Sequence, residues 1–153
     1  APIRVERYEL VADSGGAGQW RGGMAVLREL RYLGDNARLQ LRSDRRDHPP
    51  FGINGGQAGT PSRNLFDNGK SWEDLPTKFV HPIQKGQSIR HTTAGGGGYG
   101  PAHQRSPAQV LNDVHNGKVT VKAAARDYGV AIIGPPWRLD LTKTNALRNV
   151  DHE

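Results

Sequence analysis

His91 to Pro101 reads HTTAGGGGYGP, and the fold turns on what its four consecutive glycines, Gly95 to Gly98, are for. Glycine loses more backbone freedom on folding than any other residue, so a folded chain keeps such a run only where backbone must adopt positive φ or approach something closely. The thing approached is either a ligand or another piece of protein. Everything before the run reads as strand and turn, and everything after it reads as helix. The expected class is therefore α+β: a glycine-rich, mainly antiparallel β domain with two short C-terminal helices and long loops.

Upstream of the run, Gln87–Thr93 and Thr77–Ile83 read as two short strands joined at Lys85 and Gly86. Between Ser43 and Asp74 the periodicity vanishes among Pro49, Pro50, Pro61, Gly52, Gly55, Gly56, Gly59 and Gly69, which predicts loops with short extended pieces. Arg38 to Arg42 alternates cleanly, with Leu39 and Leu41 on one face. Met24 to Leu33 places Met24, Val26, Leu30 and Tyr32 on another, with Arg28 intruding. The Gly34-Asp35-Asn36 turn between these two strands predicts a hairpin. Asp13 to Gly23, DSGGAGQWRGG, carries five glycines in eleven residues; it is a loop with Trp20 as the large residue available to pack it down. Residues 1 to 12 read as an entry strand with an irregularity near Arg7.

Downstream, Ser106, Pro107 and Gln109 form a capping-box pattern for a helix from Pro107 to Asn116, stopped by Gly117, with Val110, Leu111 and Val114 as its buried stripe. Thr120 caps a second helix over Val121 to Tyr128, ended by Gly129. Val130 to Ile133 reads as a short strand halted by Gly134, Pro135 and Pro136. One domain is expected over 1–134, followed by an extended arm over 135–153.

Composition narrows the function classes. The chain has 153 residues, 35% of them hydrophobic, with 20 glycines and no cysteine. Disulfides and thiolate metal sites are excluded. No apolar run approaches the roughly 18 residues of a membrane helix, so a cytoplasmic protein without membrane contact is expected. The net charge of +6 and pI of about 10.0 suit nucleic acid or an acidic subunit surface equally. However, the arginines lie singly, and the cluster of Arg42, Arg45 and Arg46 is interrupted by Asp44 and Asp47. A helix-turn-helix also fails, because β-branched Val130 to Ile133 runs into GPPW where a recognition helix belongs.

The remaining chemistry is sparse. A phosphate loop needs a lysine and an adjoining helix N-terminus. The run AGGGGYGP has neither, and SGGAGQWRGG leads into a strand, so it fails as a dinucleotide fingerprint. No histidine pair has metal-ligand spacing, Asp44, Asp47 and His48 read equally as salt-bridge and turn residues, and no metal is expected in this chain. No GxSxG serine offers a nucleophile. His91, on a strand beside exposed backbone amides, suits general acid–base work or serves as a hydrogen-bonded structural histidine. Gly95, Gly96, Gly97, Gly98, Tyr99, Asp44, Arg45 and Arg21 are the expected substrate-loop or interface-loop residues.

Taken together, RVERYELVADSGGAGQWRGGMAVLRELRYL (Arg4 to Leu33), the SDR of Ser43 to Arg45, PPFGINGGQAG (Pro49 to Gly59), TTAGGGGYGP (Thr92 to Pro101) and SPAQVLNDVHNGKVTVKAAARDYGV (Ser106 to Val130) resemble the C-terminal region of the hydantoinase B/oxoprolinase family. The resemblance implies an ATP-dependent assembly in which an A-type component phosphorylates and the B-type component works on substrate. Such assemblies open cyclic amides such as hydantoins and 5-oxoproline, or carboxylate ketones such as acetone and acetophenone. It further implies large A-type and B-type partner chains, with ATP and a divalent metal bound by those chains. This chain, as a fragment or a separately encoded small subunit, then completes or braces a site made mainly elsewhere and is not catalytic alone. The reading from another class is a stand-alone basic binding module for nucleic acid or a regulatory partner.

Overall fold

The computed structural model describes residues 2–149. In chain order its elements are β1 (Ile3–Leu10), β2 (Val26–Tyr32), β3 (Asn36–Arg42), β4 (Arg63–Asp67), β5 (Trp72–Leu75), β6 (Lys78–Gln84), β7 (Ser88–Thr92), α1 (Pro107–His115), α2 (Val121–Tyr128), β8 (Ile132–Ile133), β9 (Arg138–Leu139) and α3 (Leu141–Asn149). Pairing between strands is antiparallel throughout, and the class is α+β as expected. A five-stranded sheet runs β1-β2-β7-β4-β5, while β3 and β6 form a separate ribbon. The irregularity near Arg7 is present: the β1–β2 register shifts between Val5 and Arg7.

The expected hairpin over Met24 to Arg42 does not form. Both edges of β2 are occupied, one by β1 and the other by β7. The Tyr32 amide donates to Gln87 O at 2.9 Å and the Leu33 amide to Pro2 O at 2.9 Å, so β3 must leave and pair with β6. The alternation in β3 is as read, with Ala37, Leu39 and Leu41 half-buried and their neighbours exposed. Alternation reports which face is covered, however, and says nothing about which strand lies alongside. In β2 the face is also reversed: Leu27 and Glu29 are buried, whereas Val26 and Leu30 are half-buried.

β4 and β5 form a hairpin inside the stretch read as loop. Its turn carries Asn68-Gly69, with Gly69 at φ 89° and the Asn68 side-chain oxygen accepting from the amides of Lys70 and Ser71 at 2.8 and 3.0 Å. That Asn-Gly pair is the strongest short-range hairpin signal a sequence offers. The tail differs too: residues expected as an extended arm form β9 and α3. Asp140 caps α3 through the Lys143 amide at 2.9 Å, and Thr144, fully buried, accepts from the Ala131 amide at 3.0 Å. Residues 150–153 of the expected arm lie outside the described residues.

The helices stand where the capping signals place them. Thr120 Oγ1 accepts from the Ala123 amide at 3.1 Å and Gly129 ends α2 in the left-handed region. Ser106 holds the N-cap position of α1 without a side-chain bond, its carbonyl accepting from the Gln109 and Val110 amides instead. Val110, Val114, Val119, Ala123, Ala124, Tyr128, Val130 and Ile132 pack into one core with Ala17 and Ala102. Burial pushes the Tyr128 hydroxyl up to about 12. Leu27, Phe66, Ile83 and Ile89 are buried apolar residues of the main sheet and the ribbon, and the His81 ring of the ribbon rests on Phe66 with ring centroids 4.4 Å apart. Among the described residues no helix is long and apolar enough to cross a membrane.

Candidate functional site

The glycine run approaches the chain's own backbone. Loops 13–23, 50–60 and 95–100 lie against one another as three extended segments without room for side chains between them. A Cβ on Gly98 sits 2.2 Å from Ala17 O, one on Gly16 2.1 Å from Gln57 O, and one on Gly56 2.2 Å from Gly98 O. Backbone bonds stitch the three together: Gly16 N–H to Gly96 O (2.8 Å), Gln57 N–H to Ala17 O (2.7 Å), Gly98 N–H to Gln57 O (2.9 Å) and Ile53 N–H to Gly98 O (2.9 Å). This is the packing logic of collagen, where only glycine fits at a crowded axis. The junction also removes Trp20 from its expected role. Backbone holds the loop down, and the Trp20 side chain is 62% exposed.

Where the run meets the sheet, one rung of residues crosses all five strands. Tyr8 pairs with Arg28, Arg28 with His91, His91 with Asn64 and Asn64 with Leu75. Cross-strand neighbours on one face have Cβ atoms about 4.5–5.5 Å apart, so the Arg28 and His91 side chains are in direct reach. The Arg28 guanidinium lies over the Tyr8 ring, 5.4 Å from its centroid. Asn64, buried, donates through Nδ2 to Ser43 Oγ at 3.1 Å and to Pro76 O at 2.9 Å. With Nδ2 so committed, its Oδ1 is the atom facing His91 Nδ1 at 2.7 Å. An oxygen can only accept, so the His91 Nδ1 carries the hydrogen and Nε2 keeps its lone pair.

Burial, and secondarily the Arg28 charge, hold the His91 imidazole below its ordinary value of 6.5. It is therefore neutral at pH 7, with a base nitrogen at Nε2 and a tautomer set by Asn64. The sign of the pH effect follows. A histidine whose folded pKa is depressed binds fewer protons folded than unfolded, so stability falls as pH drops below the unfolded value of 6.5 and stops falling once pH passes the folded pKa. In urea titrations between pH 7.5 and 5, His91→Gln is expected to lose less stability on acidification than the parent. Parallel pH profiles would show that His91 does not titrate in this way.

The other expected site residues fall into separate places. Asp44 and Arg45 line a hollow of about 390 Å³ with Arg46, Asp47, His48 and Thr77. Arg45 holds positive φ, 66°, and the Asp44 and Arg45 carbonyls accept from Ser62 Oγ (2.6 Å) and Ser62 N (3.1 Å). Ser43, next to Asp44, accepts from Asn64 and so links this loop to the rung. Arg21 lies away from both, directed at buried Asp113, with Nε 3.4 Å from its Oδ2. Tyr99 sits at the outer rim of the junction, its hydroxyl accepting from Asn54 Nδ2 at 2.7 Å. Sequence reading missed Asn64 and Asp113. Asn64 lies in a stretch whose strand pattern was hidden among glycines and prolines; Asp113 sits on a helix where an acid reads as solvated.

The junction's amides are turned inward. The amides of Gly95, Gly96 and Gly98 already donate to Thr60 O, Gly23 O and Gln57 O at 3.0, 2.8 and 2.9 Å, so three of the run's four amides are committed to the chain's own carbonyls. Among the described residues no three His, Asp or Glu side chains stand close enough together to hold a metal ion.

Comparison with known proteins places the geometry. The profile of the hydantoinase B/oxoprolinase family matches residues 1–102. The caprolactamase subunit beta of Pseudomonas jessenii is 34% identical over 152 residues, covering 96% of this chain and 26% of that protein. The 5-oxoprolinase of Dictyostelium discoideum is 35% identical over 101 residues, 65% of this chain and 8% of that protein. The crystal structure of the ATP-dependent caprolactamase from Pseudomonas jessenii superposes with a TM-score of 0.79 at 30% identity, over 97% of this chain and 26% of the other. Acetone carboxylase, at 18% identity and a TM-score of 0.82 over 98% of this chain and 25% of the other, shares the fold. The chain spans about a quarter of the length of the curated relatives it matches end to end.

Proposed function

This chain belongs to the hydantoinase B/oxoprolinase family, and we propose that it works as one part of the substrate-handling component of an ATP-dependent enzyme assembly. That assembly opens a cyclic amide or, in a related form, carboxylates a ketone. In this reading ATP and its metal are bound by other chains; the inward-committed amides of Gly95, Gly96 and Gly98 support the ATP part of it. The rung around His91 contributes a neutral base to a site completed elsewhere.

One observation carries this reading, namely the apolar surface left bare. Along β1 the side chains of Ile3, Val5, Tyr8 and Leu10 share the face of Arg28 and His91 and are all exposed, Tyr8 by 66%. At the rim of the junction Trp20, Phe51, Ile53 and Tyr99 are exposed as well, Phe51 by 70%. Scattered apolar residues are normal on a surface, but contiguous stripes of this kind mark contact with further protein. An edge strand with a bare apolar face also invites pairing.

The test is the company the protein keeps. Purified from its native source, it is expected to migrate with large A-type and B-type chains, and the assembly to open cyclic amides only with ATP. His91→Ala is expected to lower turnover about a hundredfold with the assembly intact. A lone monomer that binds DNA with a steep salt dependence overturns the reading, and unchanged turnover in His91→Ala removes His91 from the site.

A further inference from the structure

Two hollows between the main sheet and the β3–β6 ribbon share Leu30, Leu39 and Ile89, so they form one trough with an apolar floor. One hollow, about 370 Å³, adds Arg28, Gln40, Leu41, Arg42 and His91. The other, about 140 Å³, adds Ile3, Arg31, Tyr32, Ala37, Arg38 and Ile83. Not one acidic side chain lines either. Among the described residues no carboxylate pairs with Arg28 or Arg42, although nearby cations are spent: Arg31 on Glu6, Arg90 on Glu29 and Arg46 on Asp74. An apolar floor ending in two unneutralised guanidinium groups and a neutral imidazole matches a small molecule with an aliphatic body and an anionic head. Guanidinium offers carboxylate a paired, charge-assisted contact, and the aliphatic body supplies the burial that makes such pockets bind.

We propose that this trough binds a small aliphatic carboxylate, its head between Arg28 and Arg42 beside His91 and its body over Leu30, Leu39 and Ile89. The inference deepens the reading of the His91 rung as part of a substrate site, naming the charge and shape of what that site holds. It also gives a use to the exposed cation that interrupts Val26, Leu30 and Tyr32 on one face of β2.

The probe is hexanoate, titrated into the purified 153-residue protein while the His91 imidazole proton resonances are followed by NMR, with 1-hexanol as the uncharged match. Hexanoate is expected to shift them with a dissociation constant of about 1 mM, and hexanol to bind about tenfold more weakly or not at all. Arg28→Met with Arg42→Met, both at exposed positions, is expected to weaken hexanoate about tenfold and leave hexanol unaffected. Equal binding of hexanoate and hexanol, no shift with hexanoate, or unchanged hexanoate binding in the double variant overturns the proposal. Because neither ATP nor a partner chain takes part, the result is independent of whether the protein assembles with larger subunits.

Discussion

Gly98→Ala is expected to unfold this protein or to cost more than about 4 kcal/mol, while Gly23→Ala leaves it intact. The contrast follows from where each Cβ would go. At Gly98 it meets Ala17 O at 2.2 Å, Ala17 C at 2.7 Å and Gly16 O at 2.7 Å, all backbone of the neighbouring loop. That backbone cannot yield, because the Ala17 carbonyl already accepts from Gln57 N–H and the Gly16 carbonyl from Gly22 N–H. Moving one strand of the junction breaks bonds in all three. At Gly23 an added Cβ has nothing within 4 Å and φ is not positive, so alanine there only reduces the freedom of the unfolded chain, a gain of about 0.4–1 kcal/mol. Urea unfolding of the two variants beside the parent decides the matter. A Gly98→Ala protein as stable as Gly23→Ala would mean that the junction is loose enough to part, and that the glycines serve something other than close packing.

This contrast also shows what could be read from sequence. The run Gly95 to Gly98 announces either positive φ or close approach, and the helices announce themselves through Thr120, Gly117 and Gly129, whose capping chemistry is local; the structure decides for close approach, since none of the four holds positive φ. Pairing was not legible. Met24 to Leu33 and Arg38 to Arg42 have strand patterns and a turn between them, yet β2 and β3 belong to different sheets, since the partners of β2 are β1 and β7, the latter more than fifty residues away. The His91 rung was half legible: a titratable residue beside the run stood out, whereas Asn64, which sets its tautomer, is one more asparagine in an irregular stretch. The trough was not legible at all, because its walls come from β2, β3 and β7, which only the tertiary fold brings together.

Asp113→Ala is expected to cost about 3–5 kcal/mol, the usual effect of removing one partner from a buried ion cluster. Asp113 is 3% exposed. Its Oδ2 receives Arg105 Nη2 at 2.9 Å and Arg21 Nε at 3.4 Å, and both arginines are themselves largely buried, with side chains 13% and 14% exposed. Arg105 reaches on to Gln19 O at 3.0 Å and Arg21 to Gly22 O at 2.7 Å. One carboxylate on α1 thereby anchors both ends of the exposed stretch around Trp20 to the helical core. Without it two guanidinium groups remain desolvated and facing each other, a cost that salt screens poorly because the cluster is out of solvent. Asp113→Asn keeps the shape and an accepting oxygen but not the charge, and is expected to cost about 1.5–3 kcal/mol. The decisive comparison is a double-mutant cycle: Arg21→Met should cost the parent clearly more than it costs Asp113→Ala, in which it relieves an unpaired charge. Additive losses in urea unfolding would show that Arg21 and Asp113 do not interact and that the glycine junction stands without this anchor.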